Sequence, residues 1–134
     1  MTKESGLGVS VTVDDHTGSG KDISNDVISL EISTPRSIQD ITGMDKSAME
    51  RLLLLADAHF VLNGAFNPAA NLSHDVFKRI STTSVARVVV LVVSSQTLTA
   101  TLLFEDYALT RAVSGELTWV ATGRLANGTA PTWS

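Results

Sequence analysis

The sequence has no cysteine. Neither a disulfide framework nor a thiolate metal site is therefore open to it. Aromatic residues make up only 5% of the chain, so small and β-branched side chains must fill most of any core. Positive charge is in deficit: 10 Lys and Arg stand against 14 Asp and Glu, a net charge of −4. That balance does not suggest a tight nucleic-acid binder, which would show a basic face. The longest apolar runs fall far short of a membrane-spanning helix. The N-terminal MTKESGLG lacks the apolar region of a signal peptide, so the expected compartment is the cytoplasm, or wherever an unsecreted assembly ends up. What is present suits one soluble domain over residues 1–134: 43% hydrophobic and 18% charged residues are enough for a real core without disorder.

The organising stretch is Val85–Leu125. Val85–Val93 is apolar at nearly every position. Thr97–Phe104 alternates, with Leu98, Ala100, Leu102 and Phe104 on one face. Glu116–Leu125 alternates again, with Leu117, Trp119, Ala121 and Leu125 together. Period two with β-branched enrichment predicts strands, and the short connections predict antiparallel pairing. Tyr107–Val113 is expected as a further strand, turned at Ser114-Gly115. Strands this apolar suit a sheet that faces both its own core and a neighbouring subunit. A plain two-layer sandwich explains the same composition.

Upstream, Leu7–Val13 and Val27–Thr34 alternate. In the second, Ile28, Leu30 and Ile32 face one way, and Pro35 ends the run. Asp14–Lys21 has loop chemistry. Ile38 and Ile41 suggest a short strand closing at Gly43. Ser47–Ala56 is ambiguous. Ser47 and Glu50 match a capping box ahead of helix-favouring residues, but four consecutive leucines make no clean amphipathic face. Ala58–Phe66 reads as a strand. Asn67-Pro68 is a good helix start, and Leu72, Val76, Phe77 and Ile80 give Pro68–Ile80 one apolar face. Met1–Gly6 and Ala126–Ser134 read as flexible polar ends, with Trp133 expected to dock somewhere.

No chemistry-bearing motif holds up. Gly18-Ser19-Gly20-Lys21 resembles part of a phosphate loop, but Asp15 and Asp22 occupy the places where the pattern needs Gly and Ser or Thr. A surface turn is the better reading. His16, His59 and His74 lack ligand spacing from one another. Asp14, Asp15 and His16 read as an exposed acidic turn before a cation site. His74 and Asp75 are adjacent on the predicted helix and point apart. Glu105-Asp106 reads as solvated charge at a strand junction. No catalytic, cofactor-binding or metal residue is assigned.

The run DITGMDKSAMERLLLLADAHFVLNGAFN, Asp40–Asn67, resembles the central segment of siphophage tail tube proteins (major tail proteins), especially those of long-tailed actinobacterial phages. The resemblance continues through SHDVFKRI, TSVARVVVLVV and FEDYALTRAVSGELTWVATGRLANGTAPTW, from about Val9 to Trp133. It is carried by the order of Ile41-Thr42-Gly43, Leu62-Asn63-Gly64-x-Phe66-Asn67, the helix, and Gly115-x-x-x-Trp119. The resemblance implies a mainly all-β, tail-tube-type sandwich or barrel with one flanking helix and a long loop or β-arm at about Pro35–Leu55. It implies a non-enzymatic virion protein, assembled in the host cytoplasm, that forms hexameric rings stacked into a hollow tube. Its implied partners are further copies of itself, the tape measure protein, tail tip or baseplate proteins and tail terminator proteins. DNA would pass through the lumen without specific binding.

Under this resemblance Ser47–Leu55 becomes part of an extended arm rather than a helix. Leu52, Leu53, Leu54, Leu55 and Trp133 are then the expected inter-subunit contacts. The polar ends are expected to order on stacking. The alternatives are a soluble β-sandwich binding or adhesion module, the inner tube of a contractile injection device and, more distantly, a small hydrolase using Glu105 or Asp106.

Overall fold

The structure is a computed structural model in which residues 5–134 are described; Met1–Glu4, most of the N-terminal end expected to be flexible, lie outside them. The main sheet is antiparallel. Its strands are β1 Ser10–Asp14, β2 Gly20–Asp22, β3 Val27–Ser33, β6 His59–Ala65, β7 Arg87–Val93, β8 Gln96–Arg111, β9 Leu117–Leu125 and β10 Thr132–Trp133. The order across the sheet is β2-β1-β7-β8-β9-β6-β3, with β10 added to β8. The end strands β2 and β3 are joined only by Ile23–Asp26, whose residues 24–26 form one 3-10 turn. A link that short between opposite edges requires the sheet to curl almost into a barrel. Ile23 extends the β1–β2 pairing by one residue, donating its amide to Val11 O at 3.0 Å just before the turn to β3.

Alternation places the core inside this curl. Val11 and Val13 of β1, Phe60 and Leu62 of β6, Val89 and Leu91 of β7, and Leu98, Ala100 and Leu102 of β8 are buried, together with Trp119 and Ala121 of β9. The expected meander is present as β7-β8-β9. Its first turn, Ser94-Ser95, has φ of 47° and 68°, the left-handed pair that a two-residue hairpin demands.

Several expectations are corrected. The expected strands Thr97–Phe104 and Tyr107–Val113 form one strand, β8, which ends at Arg111 with Ala112 and Val113 in the following turn. Its register against β9 shifts between Phe104 and Asp106. The extra residue reverses the parity: Phe104 is buried, and after the bulge Tyr107 takes over the inward side. Glu105 and Asp106 are thus exposed bulge residues, and Glu105 accepts from Arg124 Nε at 2.9 Å. A second bulge, between Val27 and Ser29, turns Ile28 outward while Leu30 and Ile32 pack on the core. The bulge lies opposite Asn63 and Gly64, where β3 crosses close to β6. A Cβ on Gly64 would fall 1.9 Å from Asp26 O. The first strand begins at Ser10 rather than Leu7, which stays exposed, and the expected loop Asp14–Lys21 contributes the start of β2.

The helix, α1, is Ser73–Phe77 and not Pro68–Ile80. Asn67 caps only a turn, accepting from Ala69 N at 3.1 Å, and Asn71 adopts a left-handed φ of 65°. The helix starts where a distant carboxylate meets it. Buried Asp26 accepts from Ser73 N and from Asn67 Nδ2, both at 3.0 Å. Val76 and Phe77 enter the core, and the Phe77 ring lies 5.2–5.6 Å from those of Phe104, Trp119 and Tyr107. Buried Arg87 ties the helix to β1 by donating to Val76 O and Asp14 O. Trp119 sits at 0% exposure with Nε1 donating to Ala65 O.

Candidate functional site

Between β3 and β6 the chain leaves the main sheet as a separate two-stranded arm, β4 Arg36–Asp40 and β5 Arg51–Ala56. The local helix reading of Ser47–Ala56 fails for a visible reason. The Glu50 amide, which a capping box would give to Ser47, donates instead to Thr42 Oγ1 at 2.9 Å. Ile41 N completes the closure by donating to Glu50 O at 3.0 Å. Asp40 accepts from the hydroxyl and amide of Thr42, contacts that hold its carboxyl below the usual range. At the root, Asp57 N donates to Pro35 O and Arg36 Nε to Leu54 O, both at 2.9 Å.

The register decides which side chains share a face. Ile38 lies opposite Leu53, Gln39 opposite Leu52, and Asp40 opposite Arg51. Directly opposed residues point the same way. One face therefore carries Ile38 and Leu53, and the other carries Leu52. A register shift beyond Ile38 accommodates Leu54 and Leu55. None of this surface is covered. Leu52, Leu53, Leu54 and Leu55 are 51, 57, 41 and 91% exposed, and Ile38, Ile41, Met44 and Met49 are exposed beside them. An isolated hairpin of this size is marginal in water, and a contiguous apolar surface on a soluble chain marks an interaction site.

Trp133 is not part of the arm. It lies opposite Leu98 on β8 and remains 52% exposed. The chain just before it does approach the arm: Gly128, Ala130 and Pro131 line a shallow cleft with Arg36, Leu54 and Leu55. The contributions of Ile38, Met44 and Met49 were missed from sequence because only the folded hairpin shows them: the register sets Ile38 beside Leu53, and Met44 and Met49 stand exposed in the connection between the two strands.

The remaining candidates resolve into structural roles. Asp15 accepts from Thr17 Oγ1, Thr17 N and Ser19 N, and Lys21 Nζ lies 4.0 Å from it. These contacts, led by the Thr17 hydroxyl, draw the Asp15 carboxyl down to about 2 against the effect of burial. Lys21 of the glycine-rich turn thus faces a carboxylate. His74 Nδ1 lies 3.1 Å from Tyr107 Oη, while Asp75 pairs with Lys78 at 2.8 Å. Burial pushes the Tyr107 hydroxyl up to about 12. Among the described residues no three His, Asp or Glu side chains converge in a metal-binding arrangement.

No family model and no curated protein matches the sequence. Solved structures do. A chain from the virion of a native gene transfer agent particle superimposes with a TM-score of 0.78 at 14% identity, covering 98% of this chain and 99% of that one. A chain from the tail of an empty gene transfer agent particle, determined with helical refinement and C6 symmetry, gives 0.74 at 15% identity, covering 98% and 99%. The likeness is one of fold, over essentially the whole of each chain. It agrees with the all-β, tail-tube-type architecture that the sequence resemblance implies.

Proposed function

We propose that this chain is the tube-forming subunit of a phage-type tail: six copies close into a ring, and rings stack into a hollow tube. The observation that carries the reading is the arm. Its apolar residues occupy both faces and none is covered within the chain, so a partner surface has to cover them, and Leu52, Leu53, Leu54 and Leu55 are its contacts. Trp133, half exposed on the strand that pairs with β8 beyond β9, is a further contact. The end-to-end likeness to a chain of a C6 tail supports sixfold closure. The sequence resemblance to siphophage tail tube proteins adds to this reading the tape measure protein inside the tube and tip and terminator proteins at its ends. In this reading the protein resides in the virion and performs no catalysis. Its negative charge suits a lumen that DNA slides through, because a basic lining would slow passage by phosphate contacts.

The structure disfavours a carbohydrate-type binding module. Such a module needs an exposed aromatic platform, and Trp119 is locked in the core. Negative-stain electron microscopy of the concentrated protein, alone and co-expressed with tail-tip and tape measure proteins, tests the proposal. Hollow tubes or stacked rings are expected. Discrete monomers under both conditions would refute it.

A further inference from the structure

The C-terminal strand follows β9 along the same edge of β8. Leu125 lies opposite Leu102, Ala126 N bonds to Thr101 O, and then Thr132 lies opposite Thr99 and Trp133 opposite Leu98. Thr97 and Ser134 exchange both backbone hydrogen bonds, at 2.8 and 2.9 Å. From Thr101 to Thr99, β8 advances two residues, while the tail spends six from Ala126 to Thr132. Four residues, Asn127–Ala130, are surplus to the pairing. They are looped out and exposed, with Gly128 at φ 72°. The pairing beyond them is made mostly by backbone, since Thr132, Trp133 and Ser134 all stay exposed. A strand on a slack tether, held by few bonds and little burial, is cheap to detach. The one partner certain to fit the vacated edge is an identical strand from another copy.

We propose that Thr132–Ser134 is exchanged between copies on assembly: it leaves β8 of its own chain and takes the same place on β8 of a neighbour. The surplus loop provides the reach, since six extended residues span roughly 20 Å. That loop stands against the arm root, at Arg36, Leu54 and Leu55, which is where the tube reading, on which this inference rests, places the neighbouring copy. Exchange links subunits without new chemistry, because every contact made in the neighbour is one already made within the chain.

The absence of native cysteine gives a clean test. Thr99 and Thr132 are directly opposed and both exposed, and a hydrogen-bonded antiparallel pair is within disulfide reach. In the T99C/T132C protein, oxidised after assembly, denaturing electrophoresis should show most of the linked chain as covalent dimers and larger species. Linked monomers alone, from assembled material, would overturn the exchange while leaving the tube reading intact. Covalent oligomers without tubes would uphold the exchange and remove the tube reading.

A second variant deletes Asn127–Ala130. Pro131 then falls opposite Ala100, a position whose amide points away from β8, and Thr132 keeps Thr99. This variant should retain the monomer's stability and lose assembly at least tenfold in threshold concentration. Unchanged assembly would also overturn the exchange.

Discussion

Replacing Leu55 with serine should leave the dispersed protein as stable as before and cripple its assembly. Leu55 is 91% exposed, so in the monomer the substitution exchanges one solvated side chain for another and should change unfolding free energy by less than about 0.5 kcal/mol. In the proposed tube the same side chain would be buried by a neighbouring copy. Full burial of a leucine is worth about 1.5–3 kcal/mol, so Leu55 stands to gain about 1.4–2.7 kcal/mol per subunit added. At 1.4 kcal/mol per factor of ten, the critical concentration should rise about 10- to 100-fold. Adding Leu53→Ser, at 57% exposure, brings the loss to about 2–4 kcal/mol. Leu52→Ser, on the opposite face, should raise the threshold about 3- to 10-fold if the arm is gripped on both sides. Pelleting of tubes across a concentration series gives the threshold, and urea unfolding of the dispersed protein gives stability. Tubes that form at an unchanged threshold would refute the interface. A loss of more than about 1 kcal/mol in the monomer would show that these leucines hold the fold instead.

Gly64→Ala should be severe, because the added methyl meets Asp26 O at 1.9 Å and Trp119 Cζ2 at 2.8 Å. A loss of about 3 kcal/mol or more, near 10 °C in a thermal melt, is expected, and a melt within 3 °C of wild type would contradict the close crossing. Changing Ser94-Ser95 to Asn-Gly relieves two left-handed serines and should add about 1 kcal/mol, read as a higher urea midpoint at unchanged slope. The Asp15 carboxyl, held at about 2 in the fold against an ordinary 3.8, contributes stability that is complete above roughly pH 4 and is lost as pH falls toward 2. Asp15→Asn should therefore flatten the stability curve across that window, and a curve parallel to wild type would exclude the Thr17 and Ser19 contacts as its source.

How much of this was legible in the sequence depended on what buries each residue. Where the chain buries itself, period two was a faithful guide: β7, β8 and β9 carry Val89, Leu98, Leu102 and Trp119 inward as the alternation requires. It failed at the bulges, where one extra residue at Glu105 or between Val27 and Ser29 reverses parity and no change in composition marks the place. It failed again at α1, whose start is set by Asp26, 47 residues away, while the local start signal at Asn67-Pro68 makes only a turn. The arm was the hardest case. Leu52–Leu55 has neither helical nor strand periodicity because no surface within the chain selects a face. The family resemblance implied an extended arm there, and the pairing of Ile38 with Leu53 then gave it two faces.

The arm and the C-terminal strand play opposite parts in the proposed assembly. A hairpin whose apolar residues point both ways would be expected to fray, yet this one is closed at its tip by Thr42 and Glu50 and at its root by Pro35 with Asp57 and Arg36 with Leu54. A preformed arm spends little ordering entropy when it docks, so more of its burial appears as affinity. That affinity carries a hazard, since the surface is exposed in every free subunit. The C-terminal strand works in the opposite sense. The tail expected to be flexible until stacking already holds an edge of β8 in the single chain, which keeps that edge from pairing indiscriminately. In the proposed assembly the closed arm would supply the driving force, and the tethered C-terminal strand would withhold one sheet edge until a neighbour offered an identical strand. Both features reside in segments that contribute almost nothing to the core, so selection can tune assembly through them without disturbing the barrel.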